Sequence, residues 1–276
     1  MISFPNAKIN LGLNVTEKRA DGYHNIETVM YPIPLCDILE IIPSGSEETT
    51  LTISGIDIPG SPDKNICLKA IDLFTLHSSS PTLHSSLFTL HLHKQIPPGS
   101  GLGGGSSDGA YTLKMLNDMM ETGLQEERLI RLAGQLGSDC PFFIRNRPAF
   151  ATGRGEVLEE ISPGLHGYHL ALVIPPVHVS TAEAYSMITP VKPVISTRDV
   201  VALPVNEWKG MLINDFEGPV MARYPEISAV KERLYELGAL YASMSGSGSA
   251  VYGLFENPAR ILNSFPVDSF IHTARI

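Results

Sequence analysis

The sequence predicts an α+β protein, with strands before a glycine-rich stretch and helices after it. Residues 4–15 and 88–92 alternate apolar and polar side chains, which is typical of half-buried strands. Residues 110–120 and 129–136 place apolar side chains at three-to-four spacing, which indicates amphipathic helices. Between these patterns lie five glycines within residues 97–105. Such a density is expected where the backbone approaches another group closely or adopts positive φ.

Composition restricts the functions that this chain could have. Its 276 residues are enough for one large domain or two ordinary ones, and 43% hydrophobic with 18% charged content is typical of a globular protein. A net charge of −9 without a basic cluster argues against nucleic-acid binding. No apolar run reaches the roughly 20 residues that span a membrane. Three cysteines, at 36, 67 and 140, without C-x-x-C spacing predict reduced thiols and a cytoplasmic location.

The first strand carries two polar side chains that are candidates for chemistry. Lys8 and Asn10 lie two residues apart, so they would share one face of the strand. A lysine on a strand is in most cases a solvated edge charge, and that interpretation stands beside a functional one. Residues 19–24 then contain an Asp-Gly pair, which supports the positive φ of a turn, and end with Tyr23 and His24.

Further strands are predicted over residues 26–42 and 50–54, and a helix over 63–76. Asn65, near the start of that helix, either caps it or approaches a bound base. Residues 77–86, rich in serine and histidine, are predicted to form a loop. The four histidines at 77, 84, 91 and 93 do not predict a zinc site, since no third ligand with suitable spacing is evident.

The glycine-rich stretch, Pro97 to Asp108, opens onto a helix for which Ser106 or Ser107 is the predicted N-cap. A glycine loop at a helix N-terminus gathers unpaired N–H groups and the positive end of the helix dipole, so it predicts an anion site, most often for phosphate. A P-loop is excluded because Gly105 stands where a lysine is required. A dinucleotide fold is disfavoured because the preceding strand alternates, instead of being fully buried. A flexible linker rarely opens a patterned helix.

The remaining elements are predicted from periodicity and stop signals. They are a helix over 124–136 ending at Gly137, a strand over 169–174, a helix from the capping box at 180–183 to about 188, a loop over 190–206, helices over 207–222 and 226–237, a strand, small-residue loop and strand within 241–253, a short helix over 258–264 and a strand over 268–275. Asp139, two residues before a proline, has the position of an ordinary cap or turn acid.

Several segments together resemble the superfamily of galactokinase, homoserine kinase, mevalonate kinase and phosphomevalonate kinase. They are Pro5-Asn6-Ala7-Lys8-Ile9-Asn10-Leu11, Asp21-Gly22-Tyr23-His24, Ile96 to Ser107, and Gly137-Ser138-Asp139-Cys140-Pro141-Phe142-Phe143. The resemblance covers nearly the whole chain. It implies an N-terminal domain like domain 2 of ribosomal protein S5 over 1–159, a C-terminal ferredoxin-like domain over 160–276, and an active site in the cleft between them. Gly109 departs from the usual alanine and costs roughly 1 kcal/mol of helix propensity.

The resemblance also implies an ATP-dependent small-molecule kinase that uses Mg²⁺. It assigns catalysis to Lys8 and Asp139. The implied ATP-binding residues are Asn65, Lys94, Pro97, Pro98, Gly99, Ser100, Gly101, Leu102, Gly103, Gly104, Gly105, Ser106 and Ser107, with Ser107 also the candidate metal contact. The implied substrate-binding residues are Asn10, Tyr23, His24, Thr181, Tyr185, Gly246 and Ser247.

The Asp-Gly-Tyr-His run resembles one branch of the superfamily in particular. Its members phosphorylate a hydroxyl of a methylerythritol unit joined to cytidine diphosphate, in the non-mevalonate route to isoprenoid precursors. This implies that Tyr23 and His24 line a cytidine site and that Tyr185 stacks on cytosine. Two alternatives stay open: a kinase for homoserine or mevalonate, and a nucleotide-binding relative without activity. The Asp-Gly-Tyr-His run argues against the first, and the joint presence of Lys8 and Asp139 argues against the second.

Overall fold

The computed structural model describes residues 1–45, 48–77, 87–261 and 263–276. The strands run over Ile2–Ser3 (β1), Asn6–Lys18 (β2), His24–Cys36 (β3), Ile38–Ser44 (β4), Thr50–Gly55 (β5), Leu87–Lys94 (β6), Ala149–Thr152 (β7), Val157–Glu160 (β8), His169–Ile174 (β9), Tyr241–Met244 (β10), Val251–Phe255 (β11) and Phe270–Arg275 (β12). The α-helices run over Ile66–His77 (α1), Gly104–Met119 (α2), Glu126–Leu136 (α3), Cys140–Arg145 (α4), Thr181–Ser186 (α5), Thr197–Val201 (α6), Glu217–Arg223 (α7) and Pro225–Glu236 (α8).

The chain forms two compact units, each assembled from segments that are distant in sequence. The first unit comprises Met1–Ala7, Leu35–Pro98 and Gly103–Arg147. The second comprises Lys8–Pro34, Gly99–Leu102 and Pro148–Ile276. The two units interleave along the chain, so a single domain boundary after residue 159 stays a prediction.

The first unit packs helices against a mixed sheet of strand order β1-β4-β6-β5. Strand β6 is antiparallel to β4 and parallel to β5. The half-buried alternation predicted for 88–92 is confirmed, since Phe88, Leu90 and Leu92 are buried between more exposed neighbours. Helix α2 packs against α1, α3 and α4. A Cβ at Gly109 on α2 would lie 2.9 Å from Cγ1 of Ile66, so close helix packing explains why glycine replaces alanine there.

The start of α2 corrects one prediction. Its N-cap is Gly103, in the left-handed region at φ 70°, and the helix begins at Gly104 instead of after Ser106 or Ser107. A Cβ at Gly104 would lie 2.8 Å from Cγ2 of Ile96, so the absence of a side chain lets the helix begin against β6 and its following loop. Ser107 is thereby drawn into the first turn, where it is buried.

The second unit contains two sheets, of strand order β2-β3-β7-β8 and β10-β11-β9-β12. Each pairing of the second sheet is antiparallel. Strand β2 is buried on both faces from Asn6 to Val15, so its polar face does not meet solvent as a half-buried strand would. The apolar core beside the second sheet includes Phe216, Ile227 and Leu234 from the segment that carries α7 and α8.

Three predictions in the second half are wrong in detail. Residues 190–206 contain helix α6, which Ser196 caps by accepting a hydrogen bond from the N–H of Arg198. The predicted helix over 207–222 is only α7, because buried Trp208 and Gly210 at φ 81° hold the preceding chain in turns. Residues 258–261 are not helical, since Ile261 is buried while most of its neighbours are exposed, which leaves no apolar helical face.

The other predicted elements are confirmed, with ends shifted by a few residues. Of the two hydrogen bonds of the capping box predicted at 180–183, one is present: the Ser180 hydroxyl accepts from the N–H of Glu183, 3.4 Å away. The carboxylate of Glu183 instead binds Arg223 and the hydroxyl of Tyr224. The predicted loop over 77–86 lies outside the described residues except for His77, which ends α1.

Candidate active site

Lys8 is a buried cation. Only 3% of it is exposed, and its Nζ donates to Oδ1 of Asn10 and, at 3.0 Å, to the carbonyl of Gly101. The shared strand face predicted for Lys8 and Asn10 is confirmed by this contact. Asn10 is held in turn by Thr28 Oγ1, to which its Nδ2 donates over 3.0 Å. The solvated edge charge that is common for a strand lysine is therefore excluded.

The glycine-loop segment Gly99–Leu102 belongs to the second unit and packs within it through its carbonyl groups. The carbonyl of Ser100 accepts from the N–H of Ala250 at 3.1 Å, and that of Leu102 accepts from the N–H of Lys8 at 2.9 Å. In a trans peptide the N–H points opposite to the carbonyl before it. The N–H groups that follow these carbonyls are consequently directed away from the packed side, as a phosphate cradle requires.

Gly101 occupies a position at which any side chain would be strained. Its φ is 83°, and a Cβ there would lie 2.1 Å from the carbonyl oxygen of Ser245. Ser245 also donates its hydroxyl to the Gly101 carbonyl at 3.0 Å and accepts from the N–H of Asn10 at 3.1 Å. Ser245 is thus a residue that sequence reasoning missed. The only signal for it was its place in the run of small residues at 245–249.

The first unit contains a cavity of about 350 Å³ beside the start of α2. Four predicted ATP-binding residues line it, namely Asn65, Lys94, Pro98 and Gly105. Asn65 also caps α1, because its Oδ1 accepts from the N–H of Cys67 at 2.9 Å. The cap is therefore confirmed, and because Asn65 also lines the cavity, its approach to a bound base stays a prediction.

Lys94 forms a buried cluster with two carboxylates. Its Nζ binds Oδ2 of Asp37 and, at 2.7 Å, Oδ2 of Asp108, and each of the three side chains is at most 2% exposed. Burial opposes the charge on Lys94, but the two carboxylates outweigh it and raise the Lys94 pKa. Burial raises the pKa of Asp108 to about 7 against the attraction of Lys94.

Asp37 and Asp108 were not predicted as site residues. Asp37 also accepts from the N–H groups of Gln95 and Ile96, so it fixes the chain that leads into the glycine loop. Its place between two strands gave no sequence signal. Asp108 lies within the first turns of α2, and its Oδ1 is buried without a hydrogen-bond partner within the described residues.

Ser107 and Asp139, both in the first unit, are the predicted metal contact and the predicted catalytic carboxylate. Oγ of Ser107 is buried and also lacks a partner within the described residues. Asp139 is half-buried at the residue before α4 and makes no side-chain hydrogen bond as a cap. Asp139 therefore does not cap the helix through its side chain.

In the second unit, the predicted cytidine-site residues adjoin one another. The rings of His24 and Tyr185 are stacked, with centroids 4.8 Å apart. Burial and the charge of Lys18 lower the pKa of His24, so its neutral form is favoured. A neutral imidazole has one donor and one acceptor nitrogen, as the edge of cytosine would require. Tyr23 is 55% exposed and lies under the guanidinium of Arg154.

The predicted residues at 181, 246 and 247 also come together. Oγ1 of Thr181 lies 3.2 Å from Oγ of Ser247. A Cβ at Gly246 would lie 3.3 Å from Oδ1 of Asn10. Asn214, another residue that was not predicted for the site, donates to the carbonyl of Gly246 at 2.9 Å. The Asn214 amide also donates to the carbonyl of Met244 at 2.8 Å, so it fixes the start of the small-residue loop.

Two negative findings concern the part of the chain that the structure describes. No helix there is long and apolar enough to cross a membrane. No group of three or more His, Cys, Asp and Glu side chains that could hold a metal ion is found there either, and His84 lies outside the described residues.

The chain is similar to known proteins over most of its length. Residues 65–147 match the GHMP kinases N terminal domain, and residues 205–265 match the GHMP kinases C terminal domain. A protein of Parabacteroides distasonis is 52% identical over 258 residues, which are 94% of this chain and 93% of that protein. A protein of Bacteroides thetaiotaomicron is 50% identical, over 93% of this chain and 92% of that protein. Both carry the name 4-diphosphocytidyl-2-C-methyl-D-erythritol kinase.

A solved structure with the same enzyme name is also similar to this chain. The crystal structure of a 4-(cytidine 5'-diphospho)-2C-methyl-D-erythritol kinase is 32% identical with a TM-score of 0.79, covering 99% of this chain and 98% of that one. The chain belongs to the GHMP kinases, and its similarity is to their 4-diphosphocytidyl-2-C-methyl-D-erythritol kinase branch. The predicted class, an α+β kinase with the two domains of this family, is confirmed. As a kinase of this family it uses ATP and a small-molecule substrate.

Proposed function

We propose that this chain transfers the γ-phosphoryl group of ATP to a hydroxyl of the methylerythritol unit of 4-diphosphocytidyl-2-C-methyl-D-erythritol. The substrate is that of the name carried by relatives up to 52% identical over most of the chain. The observation that carries the kinase chemistry is the buried ammonium of Lys8, bonded to the Gly101 carbonyl. It supplies a fixed cation at a phosphate loop that has no lysine of its own.

Phosphoryl transfer requires the protein mainly to align the reactants and to stabilise charge. The backbone N–H groups of the loop and of the start of α2 would hold the β- and γ-phosphates of ATP. Lys8 would neutralise charge that builds up on the transferred group. Asp139 would orient the acceptor hydroxyl and accept its proton as the new O–P bond forms and the bond to ADP breaks.

The family also implies Mg²⁺. The buried Ser107 hydroxyl, without a partner in the described residues, fits an additional ligand, because a buried polar atom left unsatisfied is costly. Oxygen donors are what Mg²⁺ prefers, so Ser107 would hold the ion together with the phosphates. Bound there, Mg²⁺ would screen the phosphate charge.

The cytidine group would be bound by the second unit. His24 and Tyr185 would recognise and stack on cytosine, with Tyr23 beside them, while Asn10, Thr181, Gly246 and Ser247 would contact the rest of the substrate. The absence of bulky side chains at 245–249 leaves room for that approach. A cytoplasmic location remains a prediction from the unpaired cysteines.

The test is a panel of alcohols offered with Mg·ATP to the purified chain. We expect phosphorylation of 4-diphosphocytidyl-2-C-methyl-D-erythritol, detected as ADP release and as a phosphorylated product by mass spectrometry. Phosphorylation of homoserine or mevalonate in its place would overturn the substrate assignment. ATP binding without transfer to any alcohol would indicate a nucleotide-binding relative that is not an enzyme.

A further inference from the structure

His178 is a solvent-exposed imidazole placed against the glycine loop. A Cβ built on Gly99 would lie 2.9 Å from Cε1 and 3.4 Å from Nδ1 of His178, so the edge of the ring occupies the space that a side chain at residue 99 would need. Both residues belong to the second unit. The ring therefore borders the first residue of the segment whose carbonyls are packed away and whose N–H groups are directed outward.

The backbone holds this ring in place although the side chain is exposed. On one side, the carbonyl of Val177 accepts the hydroxyl of Ser249 at 2.7 Å. On the other side, Val179 is 1% exposed and packs in the core. Three residues after His178, Thr181 contacts Ser247. An exposed side chain whose neighbours are all anchored is suited to bind a ligand, because little backbone freedom is lost on binding.

The chemistry of the position points to a phosphate group. The loop from Pro97 to Asp108 has no cationic side chain of its own. An imidazole ring offers at least one N–H donor in either protonation state, and a hydrogen bond to a charged phosphate is stronger than one between neutral groups. We propose that His178 is a further phosphate-binding residue, which donates to a phosphate oxygen of a substrate held at the glycine loop. This assignment rests on the proposed kinase function.

Two sources of phosphate are compatible with this chemistry, and the experiment separates them. One is the triphosphate of ATP, and the other is the diphosphate of the cytidine substrate. The His178→Phe variant keeps a flat ring against Gly99 but removes the donor, while His178→Gln keeps a donor. The matched control is His166→Phe, which removes another exposed histidine of the second unit. Binding of a non-hydrolysable ATP analogue with Mg²⁺, and of CDP, is measured by calorimetry for each variant.

We expect His178→Phe to weaken binding of one of the two probes about tenfold or more, with the KM of the corresponding substrate rising in parallel. The probe that is affected identifies the phosphate that His178 binds. His178→Gln should restore most of the loss, and His166→Phe should bind both probes as the unaltered chain does. A merely structural role would lower stability without this separation between probes and without rescue by Gln.

Two outcomes would overturn the assignment. One is unchanged binding of both probes and unchanged KM and kcat in His178→Phe. The other is an equal loss in the Phe and Gln variants. Failure of the unaltered chain to transfer phosphate to any alcohol would instead overturn the proposed function, so the two failures are distinguishable.

Discussion

The ring of His24 lies on the ring of Tyr185, with the two planes 20° from parallel. The residues are far apart in sequence, and the resemblance implied that both belong to the cytidine site. Tyr185 is itself held edge-on by Phe216, with ring centroids 4.9 Å apart. The aromatic wall of the proposed cytidine site is therefore supported by the apolar core of the second unit.

The first prediction concerns this wall. Replacing Tyr185 by alanine should raise the KM for the cytidine substrate about tenfold, because stacking of a base on an aromatic ring contributes about 1–3 kcal/mol. The KM for ATP should not change. Steady-state kinetics with each substrate varied in turn measures both constants, and Tyr185→Phe, which keeps the ring, is the control. An unchanged KM for the cytidine substrate in the alanine variant would rule out stacking.

The second prediction concerns the two proposed catalytic residues. Lys8→Met and Asp139→Asn should each lower kcat by a factor of about 10² or more, since charge stabilisation and proton transfer of this kind contribute at least that much. Both substitutions nearly conserve side-chain volume, so the circular dichroism spectrum should be unchanged. The exposed residues Lys192 and Asp268 provide controls, as Lys192→Met and Asp268→Asn. A turnover near that of the unaltered chain in either test variant would refute its role.

The third prediction distinguishes Gly101, which is needed for stability, from Gly105, which is proposed to face ATP. Gly101→Ala should destabilise the chain by about 2 kcal/mol or more, because its φ is 83° and the new Cβ would meet the Ser245 carbonyl. Gly105→Ala should not, since a Cβ there meets no heavy atom within 4 Å and the residue is helical.

Gly105 borders the cavity, so its alanine variant should nevertheless raise the KM for ATP. Urea denaturation measures the first effect and kinetics the second. If Gly105→Ala were as unstable as Gly101→Ala, or if its KM for ATP were unaltered, this division of roles would be wrong.

The fourth prediction is a pH dependence of stability. The Asp108 pKa rises from 3.8 to about 7 on folding, chiefly through burial. The neutral carboxyl is thus favoured in the folded state, so its contribution is complete below pH 3.8 and is lost as the pH rises through 7. Relative to Asp108→Asn, the free energy of unfolding should fall between pH 4 and 7 by an amount on the order of 1–4 kcal/mol.

Urea denaturation of both proteins across this pH range measures that difference. Asp118→Asn, the same substitution elsewhere on this helix, is the control. Parallel stability curves for the unaltered chain and Asp108→Asn would show that Asp108 does not titrate as described.

Much of the fold was accessible from sequence because local patterns decide it. Helices α1, α3 and α8 have apolar residues at three-to-four spacing and were predicted with nearly correct ends. The start of α2 was not predicted correctly. It depends on the close approach of Ile96 to Gly104, where a Cβ would not fit. Helix α6 was missed because a single turn of chain has too few residues for a periodic signal.

The site residues also fall into those that the sequence predicted and those that it did not. The glycine loop, Lys8 and the Asp-Gly-Tyr-His run were evident as motifs. Asp37 was not, because nothing near it in sequence indicates that it meets Lys94 in the interior. Ser245 and Asn214 were passed over for the same reason, as their partners Asn10 and Gly246 are defined only by the folded backbone.

The sequence by itself determined the class of protein, the loop that would hold phosphate and the side chains able to perform the chemistry, since these depend on residue type and spacing. Only the tertiary structure decided which of these side chains are buried away from solvent. In the folded chain Lys8 is buried and fixed, and Lys94 is buried against two carboxylates. The sequence could not show this, because desolvation is caused by residues that are distant in the chain and adjacent in space.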